Sequence, residues 1–408
     1  MTGSLLEGVR VLDLTNVLAG PYAGYQLALF GAEVLKVETP HGGDLARRLG
    51  ADPGLIDEDL GVSFLAQNAN KRSITLDLKD EADRDVFSEL VATYDVVLEN
   101  FRPGVMDRLG FGWSELKKLN PSVIYCAVSG FGQTGPMRDR PAYDQIIQGL
   151  SGLMSVTGTP ETAPIRVGAP ICDSIGGLVA AFAIASAVVR RERTGSGAML
   201  DVSMLEAAIT TMGWVVSDQL IAGQEPVAMA NENRTSAPSG TFETAAGKLN
   251  IAANKQEQYE ALCTCLDRPD LLEDERFRTR DLRKANRESL KVELERTLRT
   301  RTAAEWDAAL LGTGVPTAPV VSVREALDSP QIQARGLVTT LPSPSHRGGQ
   351  VRLLGSPVHV DGAPVVPSTA PPLLGADNDA VLSELAERRT RPSVGSTDDT
   401  GTTPGIAS

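Results

Sequence analysis

The sequence predicts an α/β protein with a largely parallel sheet, and two observations carry that expectation. Short apolar runs alternate with helical stretches through the first half of the chain, the pattern of successive βαβ units. The composition is that of an ordinary globular protein of two or three domains, with 408 residues, 42% of them hydrophobic and 22% charged.

The elements follow in order. A strand is expected over 9–14, then a helix over 22–30 entered through Gly20-Pro21. Proline suits a first helical turn, where its missing N–H is no loss. Further strands are expected at 33–38, 73–78, 95–99 and 123–128, with a helix over 81–93. A small-residue helix runs from Asp173 to about residue 192, a strand covers 198–202, and 204–222 reads as one helix. The Asn-, Ser-, Gly- and Pro-rich stretch 230–240 marks a boundary. Beyond it come a hairpin over 240–253, turning at Ala246-Gly247, and charged amphipathic helices, one with Leu290, Leu294 and Leu298 on a single face. After Ser329-Pro330 the chain returns to strands at 336–341 and 350–354. Residues 388–408 are rich in Ser, Thr, Gly and Pro and read as a disordered tail.

Composition excludes several functions. With 39 basic against 52 acidic residues the net charge is -13, so general affinity for nucleic acid or an anionic membrane is not expected. Four scattered cysteines make neither a disulfide framework nor a zinc site, and three histidines without a His-Glu-x-x-His pair argue against a His-ligated metal. The start of the chain reads as no export signal. The most apolar stretch, 175–189, is shorter than the roughly 20 residues of a membrane span. It is also interrupted by Gly176 and Gly177, and reads as a buried helix. A soluble, cytoplasmic protein is the expectation.

Four segments could carry chemistry, each with a structural alternative. The 15–21 turn presents backbone N–H groups at a helix start, but Gly-x-Gly-x-x-Gly is absent, and Glu38 alone is a weak sign of a ribose-binding acid. Lys71, Arg72 and Lys79 form a basic patch that suits phosphate, or guard a strand edge. The 99–110 loop follows a strand, where ligands of doubly wound sheets bind. Phe101 could stack on a ring there and Arg102 and Arg108 could meet phosphate, or Phe101 could plug the core. Asp173 stands before the most apolar helix, as an N-cap or as an ionised carboxylate able to attack an activated acyl group.

Taken together these segments form a recognisable series. Residues 8–15, Ala19-Gly20-Pro21, Lys36-Val37-Glu38, Asn70-Lys71-Arg72-Ser73 and 99–104 are followed by 129–136, Tyr143-Asp144, Asp173, Gly195-Ser196-Gly197, Gly314-Val315-Pro316 and 371–375. In that order, the chain resembles the family III CoA-transferases, the group of formyl-CoA and carnitine CoA-transferases, from about residue 8 to 385. The resemblance implies a Rossmann-like large domain built from both chain ends (1–228 and 328–387) and a smaller α+β domain (229–327). It also implies a homodimer with interlocked subunits.

The resemblance further implies that Asp173 attacks an acyl-CoA thioester, passing through anhydride and aspartyl-CoA intermediates. Coenzyme A and acyl-CoA are then substrates, with no tightly bound cofactor and no metal. The positions carried over for CoA are Leu18, Ala19, Leu76, Asp77, Leu78, Lys79, Asn100, Phe101, Arg102, Arg108, Arg140, Tyr143 and Asp144. Backbone near Gly176 and Gly177, or in the 15–21 turn, would stabilise the oxyanion. Oxalate-using members carry a glutamine where this chain has Leu18, and a glycine run that is absent from 231–240. Those departures argue against oxalate, while Arg234 could pair with the second carboxylate of a larger dicarboxylate such as succinate. A 2-methylacyl-CoA racemase of the same fold is the alternative; its catalytic histidine would fall at Tyr143, a poor base at neutral pH.

Overall fold

In the computed structural model, which describes residues 4–390, six parallel strands form the central sheet. They are β1 (Arg10–Asp13), β2 (Glu33–Glu38), β3 (Lys71–Thr75), β4 (Val96–Glu99), β5 (Ile124–Ser129) and β6 (Ala198–Ser203). Their order is β3-β2-β1-β4-β5-β6, so the winding direction reverses between β1 and β4. A crevice opens at the carboxyl ends of the strands at such a reversal.

Successive side chains of a strand point to opposite faces. Val11, Val34, Leu98 and Cys126 join one buried cluster with the helices Ala19–Leu29 and Ile171–Thr194. Leu12, Leu35, Val97 and Tyr125 join the other, with the helix Glu81–Thr93 and with Val381 and Leu385 of the helix Asn378–Thr390. The end of the chain therefore packs on a sheet begun near its start. It also covers the free edge of β3: Asp377 accepts the Ser73 N–H, and Asn378 the Thr75 N–H.

The middle of the chain has its own core. β7 (Ser239–Glu243), β8 (Lys248–Ala252) and β9 (Thr317–Pro319) form an antiparallel sheet beside helices that contribute Tyr259, Leu290, Leu294, Leu298 and Trp306. Antiparallel β10 (Val338–Pro342) and β11 (Gln350–Leu354) follow.

Two sequence expectations are corrected. The expected helix over 204–222 is two, Met204–Thr211 and Trp214–Ala222. They break at Gly213, whose backbone (φ 56°, ψ -122°) only glycine adopts readily. Residues 388–390, expected to begin a disordered tail, are helical: the helix Asn378–Thr390 includes them, and Arg389 pairs with Glu89. Residues 391–408 lie outside the described residues. The helix Ile171–Thr194 is long and apolar enough to cross a membrane, yet it packs on the sheet through Cys172, Ala180 and Ile184.

Candidate active site

Charged residues are buried where β1, β2 and β3 end. Lys71 donates to Asp13 at 2.8 Å and to the Pro21 carbonyl at 2.9 Å. Lys36 pairs with Asp44 at 3.0 Å, and Arg47 grips both carboxylate oxygens of Glu38. Burial alone would raise the Asp13 carboxyl, but Lys71 and Lys36 hold it below its ordinary value. The same balance between burial and a cation keeps Glu38 and Asp44 low.

This lattice fixes the turn above it. Asp44 accepts the Val17 N–H at 2.9 Å, and Asn100 accepts the Asn16 N–H while donating to the Asn16 carbonyl. Val17 is thereby held at φ 69°, a left-handed conformation that costs a β-branched residue about 1–3 kcal/mol. The helix Ala19–Leu29 then starts at Leu18, with no side chain capping its first N–H groups. Those donors belong to a helix start and need partners from elsewhere.

Beside the turn lies a cleft of about 410 Å³. Leu76, Asp77, Leu78, Lys79 and Phe101 line it, together with Asn16, Thr39, His41 and Leu109. Leu14, Val37, Leu76, Leu78, Phe101 and Leu109 supply its apolar walls. Arg102 and Arg108 are exposed on the loop that carries Phe101, and Arg108 and Arg138 approach Gly104 from the same side.

Asp173 sits in the first turn of the helix Ile171–Thr194, but it does not cap it. The helix begins two residues earlier, after Pro170, and the cap comes from another element. Asp144, buried on the helix Asp144–Leu150, accepts the Cys172 N–H at 2.8 Å and the Asp173 N–H at 3.4 Å. Gln148, one turn on, donates to Asp144 at 2.6 Å and accepts the Val167 N–H. Burial, with the Asp144 charge beside it, pushes the Asp173 carboxyl up to about 7. The structure thus leaves Asp173 poised between its two protonation states near neutral pH, where the sequence suggested a carboxylate held ionised by the helix end.

The two ends of the site meet through glycine. A Cβ on Gly177 would stand 2.5 Å from the Ala19 carbonyl oxygen and 3.1 Å from Tyr22. Gly177 is one turn beyond Asp173 on the same helix face. The turn carrying Leu18 and Ala19 therefore connects the cleft to the Asp173 end of the long helix.

Several sequence-derived residues have other roles here. Gly176 and Gly177 are buried in the second turn, so their N–H groups serve the helix and their missing side chains admit Met204 and the first helix. The N–H groups of Thr15, Asn16 and Val17 are taken by side chains, which leaves the helix start at Leu18–Ala19 as the donor end of that turn. Lys71 and Arg72 make no open basic patch: Lys71 is buried on Asp13, and Arg72 pairs with Glu384. Glu38 is spent on Arg47, not free for a ribose. Asp144 is buried by protein contacts, whereas Tyr143 and Arg140 are exposed next to it. Arg234 lies in a different cleft with Trp214 and Asp218, bonded to Asp218 at 3.3 Å and to Gln224. Sequence reasoning missed His41, Arg138 and Gln148. Only Gln148 had a local signal, its i+4 spacing from Asp144 on one helix face.

The fold and these sites define a parallel α/β enzyme with a ligand cleft at the sheet's switch point. The chain belongs to the CoA-transferase family III, whose family model matches residues 6–378. It is 41% identical over 357 residues to an acetyl-CoA:oxalate CoA-transferase of Acetobacter aceti, covering 87% of this chain and 89% of that one. It is 35% identical over 380 residues to a succinyl-CoA:glutarate CoA-transferase of Mus musculus, covering 93% and 86%. A crystal structure of a CAIB/BAIF family protein from Brucella suis superposes with a TM-score of 0.82 at 33% identity, covering 94% of this chain and all of that one. The protein is accordingly a CoA-transferase, moving CoA between carboxylic acids.

Proposed function

We propose that the enzyme moves CoA from an acyl-CoA donor to a dicarboxylate, with Asp173 as the covalent carrier. The observation that carries this reading is a partly buried carboxylate without a counter-ion, beside an uncapped helix start. Asp173 attacks the thioester carbonyl, the C–S bond breaks, and an acyl-aspartyl anhydride forms with release of CoA thiolate. The thiolate attacks the aspartyl carbonyl, and the donor acid leaves with one oxygen of Asp173. The acceptor carboxylate attacks the aspartyl-CoA thioester, giving a second anhydride and thiolate. The thiolate then takes the new acyl group, and Asp173 is restored. The net reaction exchanges one thioester for another, each anhydride being consumed by the thiolate released in forming it, so no further energy source is needed. Backbone N–H groups at Leu18 and Ala19 stabilise the oxyanions, and the packed helix end limits access of water to the anhydride.

In this reading CoA lies along the 76–79 and 99–109 loops, its adenine between Leu78 and Phe101 and its phosphates toward Arg102 and Arg108. CoA and acyl-CoA act as substrates, and the reaction requires no resident cofactor or metal. The enzyme is read as cytoplasmic. Its large domain combines 1–228 with 328–387, and its small domain is 229–327. Phe182, Trp214, Leu220 and Ile221 are each at least 69% exposed, apolar positions of the kind an interlocked second subunit would cover.

The relatives named for oxalate and for glutarate both use dicarboxylates, which supports that acceptor class and brings oxalate back beside longer acids. Arg234 is the proposed partner of the distal carboxylate, exchanging Asp218 for substrate. The test is CoA transfer from succinyl-CoA or acetyl-CoA to a panel of mono- and dicarboxylates, with mass spectrometry of Asp173. Acceptor-dependent transfer and an adduct on Asp173 are expected. Transfer without an adduct, at a rate unchanged in Asp173→Asn, contradicts the covalent route. If Arg234→Ala leaves the mono- to dicarboxylate ratio of kcat/KM unchanged, Arg234 has no part in acceptor choice.

A further inference from the structure

A carboxylate in the first turn of a helix is drawn to the free N–H groups of that turn. At Asp173 those donors are already occupied: the Cys172 and Asp173 N–H groups point to Asp144, which belongs to a different helix 28 and 29 residues away in sequence. Asp144 is itself clamped. Gln148 donates to it, donates to the Ala169 carbonyl and accepts the Val167 N–H. Arg166 stands 3.8 Å from the same carboxylate and is largely exposed. Two residues on one helix face therefore hold the whole backbone from Val167 to Asp173.

We infer that Asp144 is the positioning residue for the nucleophile: by taking the cap, it keeps the Asp173 carboxylate out of the helix end and turned toward substrate. This rests on the covalent role of Asp173 proposed above. A capped Asp173 would share its lone pairs with two N–H donors and attack a thioester slowly. Uncapped, and next to a second negative charge, it keeps them for the acyl carbonyl.

The other titratable or charged groups on elements around this end of the helix are Tyr22, Tyr25, Tyr125, Cys126, Arg166, Cys172, Asp201 and Glu206. Asp144 is the charged group that acts on the Asp173 carboxyl. Removing its charge while keeping its oxygen should make Asp173 more acidic with the cap still in place.

The experiment compares wild type with Asp144→Asn, which keeps an oxygen to accept the Cys172 N–H, and with Gln148→Glu and Gln148→Ala. Two readouts are needed: the pH profile of kcat and KM, and the titration of Asp173 followed by carboxyl carbon NMR against an Asp173→Asn blank. Asp144→Asn is expected to shift the Asp173 titration and the acid limb of kcat down by about one pH unit or more, and to lower kcat about tenfold at pH 8. KM for acyl-CoA should stay within about threefold. Gln148→Ala, which loosens the clamp but keeps the charge, should lower kcat less and shift the titration less. An unmoved titration with kcat within about twofold overturns the proposal. A lower melting temperature and lower kcat with an unmoved titration also overturn it, because Asp144 is then a structural cap only. If wild type forms no Asp173 adduct, the covalent reading fails by itself, while the NMR titration still decides whether Asp144 governs Asp173.

Discussion

Two groups of carboxylates, one under the 15–18 turn and one at the start of the long helix, are treated differently. Under the 15–18 turn, Asp13, Glu38 and Asp44 each hold a buried cation within hydrogen-bond distance. At the start of the long helix, Asp173 has no paired cation among the described residues, and its neighbour is another carboxylate. The first group is neutralised and holds backbone in place, including the strained Val17. In the second, Asp144 has only the distant Arg166 at 3.8 Å and Asp173 itself is left unneutralised, so it is the one that chemistry can use. Burial alone therefore does not distinguish a reactive acid from a structural one; the presence of a paired cation does.

The largest expected effect breaks the contrast at its reactive side. Asp173→Asn should lower kcat at least about a thousandfold while leaving acyl-CoA binding nearly intact, read as kcat against Kd by calorimetry. A second break falls on the structural side. Lys71→Met strands Asp13 in the interior and should destabilise the protein by about 3–5 kcal/mol in urea unfolding, much of it recovered when Asp13→Leu is added.

The contrast sharpens with pH. The Asp173 carboxyl is pushed up to about 7 in the folded protein and returns to its ordinary value on unfolding. The folded state thus binds that proton more tightly, and stability falls as pH rises from about 4 to 7. Asparagine has no such dependence. Asp173→Asn should therefore be little different from wild type near pH 4 and more stable by about 2 kcal/mol at pH 8, the partly wetted carboxylate giving less than its full shift. An equal difference at both pH values would show that Asp173 carries no unfavourable charge. The smallest effect is at the rim: Arg102→Ala and Arg108→Ala should each raise KM for acyl-CoA about three- to tenfold, less at high salt, with kcat nearly unchanged.

Local pattern made the sheet and much of its surroundings legible. The strand 33–38 and the helix 81–93 fall where the alternation of apolar runs and helical stretches put them. The hairpin turning at Ala246-Gly247 and the buried row Leu290, Leu294 and Leu298 were equally local. What escaped was decided by partners distant in sequence. Lys71 looked like an open cation because Asp13 lies 58 residues earlier. Asp173 looked like a cap because nothing local shows that Asp144 takes its place. The break at Gly213 was hidden in an otherwise helical run of apolar residues. Leu76, Lys79 and Phe101 meet in one cleft; only Phe101 was expected there from its place after a strand, the others from the family resemblance, whereas His41 lines the cleft and Arg138 nears the 99–110 loop without any motif.

The fate of oxygen atoms tests the central claim most directly. The enzyme is given acyl-CoA and an acceptor acid whose carboxylate carries oxygen-18, and the Asp173 peptide is weighed after one turnover. If Asp173 is the carrier, one heavy oxygen appears in its carboxylate and is passed to the donor acid in the following turnover. An unlabelled Asp173 peptide, alongside full conversion of acceptor to its CoA thioester, would contradict the account.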